Sequence, residues 1–319
     1  MISRLFAMLA LLASAAIQSA ATAADYPVKP IHIIVPFTAG AMFDTNARQL
    51  QPWLEKKWSQ PVIVENRPGA GGNIAADYVI KSAPDGYVLL ITSQAIAYQH
   101  LLNSAVTFRG ARDLTPIAIL GGGSVLLSIP SSLPARTLAE FVAYSKANPG
   151  KVNYGIAGVV IPELEDLYAQ LGLKMTAVSY QGVPGQVTAL LAGDIHLMLM
   201  SPLQALPMVK DGRVRVLAYT GETRHPAFPD IPTVNETGLA NFQYRFWSGL
   251  FGPAGMPQPV VNQLNAEVAQ WVKSPDVVEK FRSIGLEEIT VTPQAMQKGL
   301  AATEVLAANV LGRLGITPR

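Results

Sequence analysis

The sequence has 319 residues, with 24 Lys plus Arg against 22 Asp plus Glu and a formal net charge of +2. Half of it is apolar and 14% is charged, below the ~25% of ordinary globular chains; this excludes a charged disordered tail and argues against a nucleic-acid binder, which needs a basic excess. Cysteine is absent, which excludes disulfides, thiolate catalysis, iron–sulfur clusters and cysteine zinc sites, while the length suits about two domains.

Met1 to Ala23 reads as a secretory signal. Arg4 is its only charge, Leu5 to Ile17 is almost wholly apolar, and Ala21-Thr22-Ala23 suits small-x-small cleavage before Ala24. The apolar run falls short of the ~20 residues of a spanning helix. The expectation is an exported soluble protein, with an uncleaved membrane anchor as the alternative.

Ile31 to Phe37 is β-branched and fits a buried strand. A small-residue turn follows, and Asp44 can cap a helix with an apolar stripe of Ala47, Leu50, Leu54 and Trp58. Pro52 should bend that helix or cost it ~3 kcal/mol. Val62 to Val64 is the next strand, and Arg67 to Gly72 is a loop opening a helix through Lys81. Pro84-Asp85-Gly86 turns into the strand Tyr87 to Thr92. This βαβαβ rhythm predicts a parallel sheet with helices on its faces.

A second unit follows. Val125 to Ile129 is a strand, and Thr137 with Glu140 forms a capping box for a helix ending at Asn148-Pro149-Gly150. Strands are expected at Val152 to Ile156, Met175 to Tyr180, Ile195 to Met200 and Val214 to Thr220. Helices are expected from Pro162 to Gly172, Gln186 to Ala192 and Leu203 to Lys210. Arg224 to Gly238 is a proline-bearing loop and Tyr244 to Phe251 a strand. The tail is helical over Gln258 to Lys273, Pro275 to Ile284 and Pro293 to Leu314.

No motif for chemistry emerges. His32, His100, His196 and His225 lack metal spacing, and H-E-x-x-H, G-x-S-x-G and P-loop patterns are absent. Gly69 to Gly72 and Gly121 to Gly123 read as turns that need positive φ. What remains is physical: two strand-to-helix turns, 38–44 and 157–162, are rich in small residues. N–H groups at a helix start carry partial positive charge, so two such turns facing across a cleft could clamp a carboxylate. Two ordinary βα turns are the alternative reading.

Four stretches make the chain resemble the Bug family, the extracytoplasmic receptors of tripartite tricarboxylate transporters. They are Tyr26-Pro27 through Val35-Pro36-Phe37-Thr38-Ala39-Gly40 to Asp44; Val64-Glu65-Asn66-Arg67-Pro68-Gly69-Ala70-Gly71-Gly72-Asn73-Ile74 with Ala83-Pro84-Asp85-Gly86-Tyr87; Pro229-Asp230-Ile231-Pro232-Thr233-Val234; and Phe246-Trp247-Ser248-Gly249-Leu250 before Pro253-Ala254-Gly255-Met256-Pro257. The resemblance implies an α/β type II periplasmic binding protein fold: two α/β lobes, two crossing strands and a ligand cleft between. Lobe one would be 25–123 plus 246–319, and lobe two 124–245. It implies a periplasmic receptor that closes on a small carboxylate by hinge motion and presents it to membrane subunits of a transporter. No cofactor, metal or nucleic acid is implied. A sensor without a permease is the second reading; an enzyme on this scaffold is the third, lacking a nucleophile–base pair.

By the same resemblance the ligand would meet Thr38, Ala39, Gly40, Ala41 and Met42, with Asp44 holding the helix start. Thr92, Ser93 and Gln94 would be added from the third strand. Lobe two would contribute Ala157, Gly158, Val159, Val160, Ile161, Tyr180, Met200 and Ser201. The chain departs from the family pattern in a bulkier first turn and in an apolar lobe-two loop where hydroxyls are usual. A second buried carboxylate without donors costs several kcal/mol. The expectation is therefore a monocarboxylate with an apolar or aromatic body, lined by Met42, Phe43, Val159, Val160, Ile161 and Met200, unless these side chains turn into the lobe cores.

Overall fold

The computed structural model describes residues 26–40, 42–157, 161–180, 182–239, 242 and 244–318. The expected signal segment lies outside the described residues, as do Ala41, Gly158, Val159 and Val160.

The β-branched run forms β1 (Ile31–Val35), the central strand of a parallel trio with β2 (Val62–Asn66) and β3 (Val88–Ser93). Helix α1 (Met42–Trp58) leads from β1 to β2, and α2 (Asn73–Ile80) from β2 to β3. Strand alternation divides the apolar residues between two layers. Ile31, Ile33 and Val35 meet Leu50 and Leu54 of α1, while Ile34 and Leu90 meet Val79 of α2. Each such fully buried side chain contributes ~1.5–3 kcal/mol of transfer free energy. Pro52 does not break α1; it is exposed, so the missing N–H lies on the solvent side.

The loop before α2 behaves as read. Gly69, Gly71 and Gly72 have φ of 133°, 65° and 97°, and a Cβ on Gly72 would stand 3.0 Å from Cβ of Pro36. This glycine run lets the loop pack against the end of β1.

Two strands complete the first sheet. The long β4 (Leu114–Gly123) carries the chain out to the second lobe, and the last strand, β10 (Phe246–Pro253), brings it back. The order is β2-β1-β3-β10-β4, with β10 antiparallel to both neighbours. Sequence analysis did not expect β4, and it read Gly121 to Gly123 as a turn. The three glycines are instead strand residues opposite Ser248, Trp247 and Phe246. They are small because their neighbours leave no room: a Cβ on Gly122 would lie 2.3 Å from the Phe246 carbonyl oxygen.

The second lobe holds β5 (Leu126–Pro130), α3 (Leu138–Ala147), β6 (Asn153–Ala157), α4 (Pro162–Gln170), β7 (Thr176–Tyr180), α5 (Val183–Ala192), β8 (Met198–Met200), α6 (Pro202–Lys210) and β9 (Val214–Tyr219). Thr137 caps α3 by accepting from Glu140 N–H at 3.1 Å, while Glu140 accepts from Arg136 N–H at 2.6 Å rather than from the cap residue. β8-β5-β9 is antiparallel, β6-β7 is parallel, and a parallel bridge between Tyr154 and Leu197 joins β6 to the β8 edge. The resulting order, β7-β6-β8-β5-β9, repeats the plan of the first lobe. In each sheet the strand arriving from the other lobe lies between the third strand and the outer one, antiparallel to both.

The tail forms α7 (Gln258–Val272), α8 (Pro275–Ile284) and α9 (Pro293–Leu314), close to the expected bounds. Leu264, Val268 and Trp271 of α7 bury against the first sheet. The last helix does more than fold back on lobe one. It also packs on α4 of lobe two, where Arg313 meets Asp166 at 2.9 Å.

Candidate functional site

β1 delivers the chain to the turn 36–40 at the sheet's C-terminal edge, and α1 follows it. Thr38, Ala39 and Gly40 are exposed, as is Met42, the first residue of α1. A helix start has no intrahelical acceptor for its first N–H groups, so those of Met42 and Phe43 are available beside the turn.

Asp44 organises this corner from below. It is 2% exposed. Its carboxylate accepts from Gly40 N–H at 2.8 Å, from Arg48 Nε at 3.0 Å and from Asn66 Nδ2 at 2.9 Å. Asn66 also donates to the Phe37 carbonyl at 2.9 Å, and Arg48 Nη2 donates to Asn66 Oδ1 at 3.1 Å. Burial alone would push Asp44 up, but the Arg48, Gly40 and Asn66 bonds outweigh it and hold the carboxyl below its ordinary value. Asp44 is therefore not the cap residue itself. It is the third residue of α1 reaching back, as the acidic member of a capping box does. The Gly40 N–H is already engaged and leaves the set of ligand donors. Arg48 and Asn66 are the partners that sequence reasoning missed.

The third-strand residues divide. Thr92 is buried at the end of β3, and the Ser93 hydroxyl accepts from Ala95 N–H at 3.3 Å. Gln94 is not turned to a ligand. Its Nε2 donates to the Arg245 carbonyl at 3.0 Å and its Oε1 accepts from Trp247 N–H at 3.2 Å, pinning the returning crossing segment to lobe one.

Lobe two brings similar corrections. Met200 is fully buried in a core cluster with Leu126, Leu190 and Ile195, because its side of β8 faces α5 and β5. Ser201 caps α6 in a capping box with Gln204, each accepting from the other's N–H. Phe43 stacks on Phe37 with ring centroids 4.9 Å apart and packs on the first core. Ile161 and Tyr180 are partly buried against lobe-two cores. Of the apolar lining expected from the sequence, Met42 at 38% exposure stays open and Ile161 half open.

The crossing segments have a lock that the sequence concealed. Glu287 pairs its backbone with Gly122, accepts from the Tyr219 hydroxyl at 2.9 Å, and stands 3.6 Å from Arg245. One residue thus ties lobe two to both crossings. A separate cavity of about 530 Å³ lies beside it, between α6 and the 225–227 loop on one side and α8 on the other; none of the turn residues lines it.

The four histidines have local roles. His32 meets Glu65 at 2.5 Å and His100 meets Glu304 at 3.1 Å, while His196 and His225 accept from Asn153 and Ala227 N–H. Among the described residues no cluster of three metal-ligating side chains occurs, and no helix is long and apolar enough to cross a membrane.

The chain is similar to known proteins over most of its length. The sequence model of the tripartite tricarboxylate transporter family receptors matches residues 46–314. Protein BugT of Bordetella pertussis is 31% identical over 311 residues, covering 95% of this chain and 94% of BugT. An R. palustris protein solved with adipate is 31% identical with a TM-score of 0.75, covering 92% of this chain and 100% of its own. MatC of Rhodopseudomonas palustris with bound malate is 30% identical with a TM-score of 0.70, covering 90% of this chain and 100% of its own.

Proposed function

This chain belongs to the tripartite tricarboxylate transporter receptor family, whose members are periplasmic solute receptors and not enzymes, and from that premise we propose that it captures a small organic monocarboxylate with an apolar body. Lobe one, 25–123 plus 246–319, binds the carboxylate first. Lobe two, 124–245, then closes over it, and the closed form is read by the membrane subunits of a transporter.

The observation that carries this reading is the exposed segment Thr38–Gly40 ahead of α1. Its small exposed residues allow close approach, and the N–H groups of Met42 and Phe43 open α1 toward an anion. Asp44 would spoil such a site if its charge were bare. Arg48 and Asn66 offset it, so the local field is set by the amides.

Adipate and malate, named with two relatives, are dicarboxylates. The far end of this cleft argues for a different acid. The family's hydroxyl-rich loop is replaced here by an apolar stretch ending in Pro162-Glu163. An acidic side chain beside a second ligand carboxylate adds repulsion to a desolvation cost of several kcal/mol.

Calorimetry and thermal shift with benzoate, succinate and citrate test the proposal. Benzoate-type acids are expected to bind, with ~2.7 kcal/mol of stabilisation at a hundred times the dissociation constant. Binding of the polycarboxylates alone would refute it.

Met1 to Ala23 is proposed as the export signal. Amino-terminal sequencing of the protein recovered from the periplasm should begin at Ala24; a chain still starting at Met1 would contradict that.

A further inference from the structure

Helix α4 opens with three acidic side chains in its first five residues, and their environments differ. Glu165 accepts from the Tyr154 hydroxyl. Asp166 holds Arg313 of α9. Glu163 has neither kind of partner. Its own N–H accounts for one oxygen, while Oε2 is sealed from solvent and makes no hydrogen bond.

A lone carboxyl oxygen in this state is costly, because burial removes its hydration and nothing replaces it. Position gives the reason to look for a ligand. Glu163 is the second residue of α4, at the C-terminal edge of the lobe-two sheet, where the chain leaves β6. That is the lobe-two counterpart of the turn between β1 and α1. The charge of Glu163 is felt by Tyr98 of lobe one, 3% exposed, and by Tyr244 of the returning crossing, 6% exposed. Burial first and the Glu163 charge second hold the Tyr98 hydroxyl above its ordinary value; the same causes act on Tyr244. Glu163 thus sits where lobe one, lobe two and the hinge converge.

An acidic residue near a helix start also suits the helix dipole. That accounts for its presence in the first turn but not for an Oε2 turned away from both water and protein donors. Among the described residues no donor is bonded to this oxygen.

We infer that the Glu163 carboxyl is the lobe-two contact for a hydrogen-bond donor, a hydroxyl or an ammonium, at the end of the ligand remote from its carboxylate. The inference rests on the receptor reading above and adds the second recognition point: amides of the α1 turn for the acid group, Glu163 for the donor. A site built to accept from a donor discriminates strongly against the analogue that lacks it, because its polar group is then left unpaired. Burial pushes the Glu163 carboxyl above the usual carboxylate range, offset in part by its own N–H. This is the behaviour of a carboxyl that gains from a donor brought close to its charged form.

Calorimetry at pH 7.5 with two matched series tests it. One is hexanoate, 6-hydroxyhexanoate, 6-aminohexanoate and adipate. The other is benzoate, 4-hydroxybenzoate, 4-(aminomethyl)benzoate and terephthalate. In at least one series the hydroxy or amino acid should bind at least ~10-fold tighter than its unsubstituted parent, and the diacid no tighter than that parent. Glu163→Leu should erase the preference, so that the donor-bearing acid binds no tighter than its parent. Glu163→Gln, which retains an acceptor but no charge, should keep the hydroxy preference and lose the ammonium one. Parents that bind as well as their donor-bearing analogues, or a preference that survives in Glu163→Leu, would overturn the assignment of Glu163 and leave the carboxylate receptor standing. A folded protein that binds no acid of either series would overturn both.

Discussion

Replacing Asp44 with Ala should cost the protein roughly 2–4 kcal/mol of stability and most of its affinity for any carboxylate. The carboxylate accepts from Gly40, Arg48 and Asn66 and is nearly fully buried. Removing it leaves the Gly40 N–H and Arg48 Nε without this acceptor and takes one of two acceptors from Asn66 Nδ2. Asn66 would keep the Phe37 carbonyl and the Arg48 bond, but the end of β2 would lose its link to the start of α1. Chemical denaturation measures the first loss and calorimetry with the tightest acid measures the second. Asp44→Asn tests the charge separately, since it can still accept from Gly40 but leaves Arg48 unneutralised. The dependence on pH follows from the depressed carboxyl of Asp44. A group bound more weakly to protons in the native state stabilises it above the ordinary carboxylate value, and that contribution fades as pH falls through the lower native value. The difference in stability between the native protein and Asp44→Asn should therefore shrink toward acid. A difference that stays constant down to pH 2 would contradict this account.

The parts of the fold legible in the sequence are those with a local signature. β1 and α1 announce themselves by β-branching and by a 3.6-residue stripe, and the tail helices by prolines and caps at their starts. β4 was hidden because Pro116 and three glycines remove its strand signature. Its pairing is supplied by β10, more than a hundred residues away. Local propensity contains no record of such a partner.

The turn after β1 was legible as an element, but the side chains around it were less so. The turn after β1 is where it was expected. Which side chains face it depends on strand register, and β8 shows the difficulty. Met198 and Met200 enter one lobe-two core while Leu199 packs on the other, so an apolar run covered on both faces leaves no polar alternation to choose between core and cleft. Gln94 and Ser201 carry the right chemistry but are engaged by a crossing strand and a helix cap. Glu163 was overlooked for the opposite reason. An acidic residue following a proline at a helix start looks ordinary, and only the finding that its Oε2 has no partner makes it a candidate.

The triglycine of β4 supports the other large effect. Gly122→Ala should destabilise the protein by roughly 2–4 kcal/mol, a drop in Tm on the order of 5–10 °C. The added Cβ would lie 2.3 Å from the Phe246 carbonyl oxygen, 2.8 Å from Ile289 Cδ1 and 2.9 Å from Trp247 Cβ. Side chains can shift; a paired backbone carbonyl cannot without parting β4 from β10. The chain passes between the two sheets along these strands, and Glu287 is fastened to the same glycine by its backbone. Separating them changes the angle at which lobe two meets lobe one, so the protein that remains folded should bind its acid more weakly than stability alone explains. Gly299→Ala is the control. It lies within α9 with nothing within 4 Å of the new Cβ, and alanine favours a helix over glycine by ~1 kcal/mol, so its Tm should hold or rise. If Gly122→Ala melted like Gly299→Ala and kept full affinity, the close contact between the crossing strands would not be what sets the hinge.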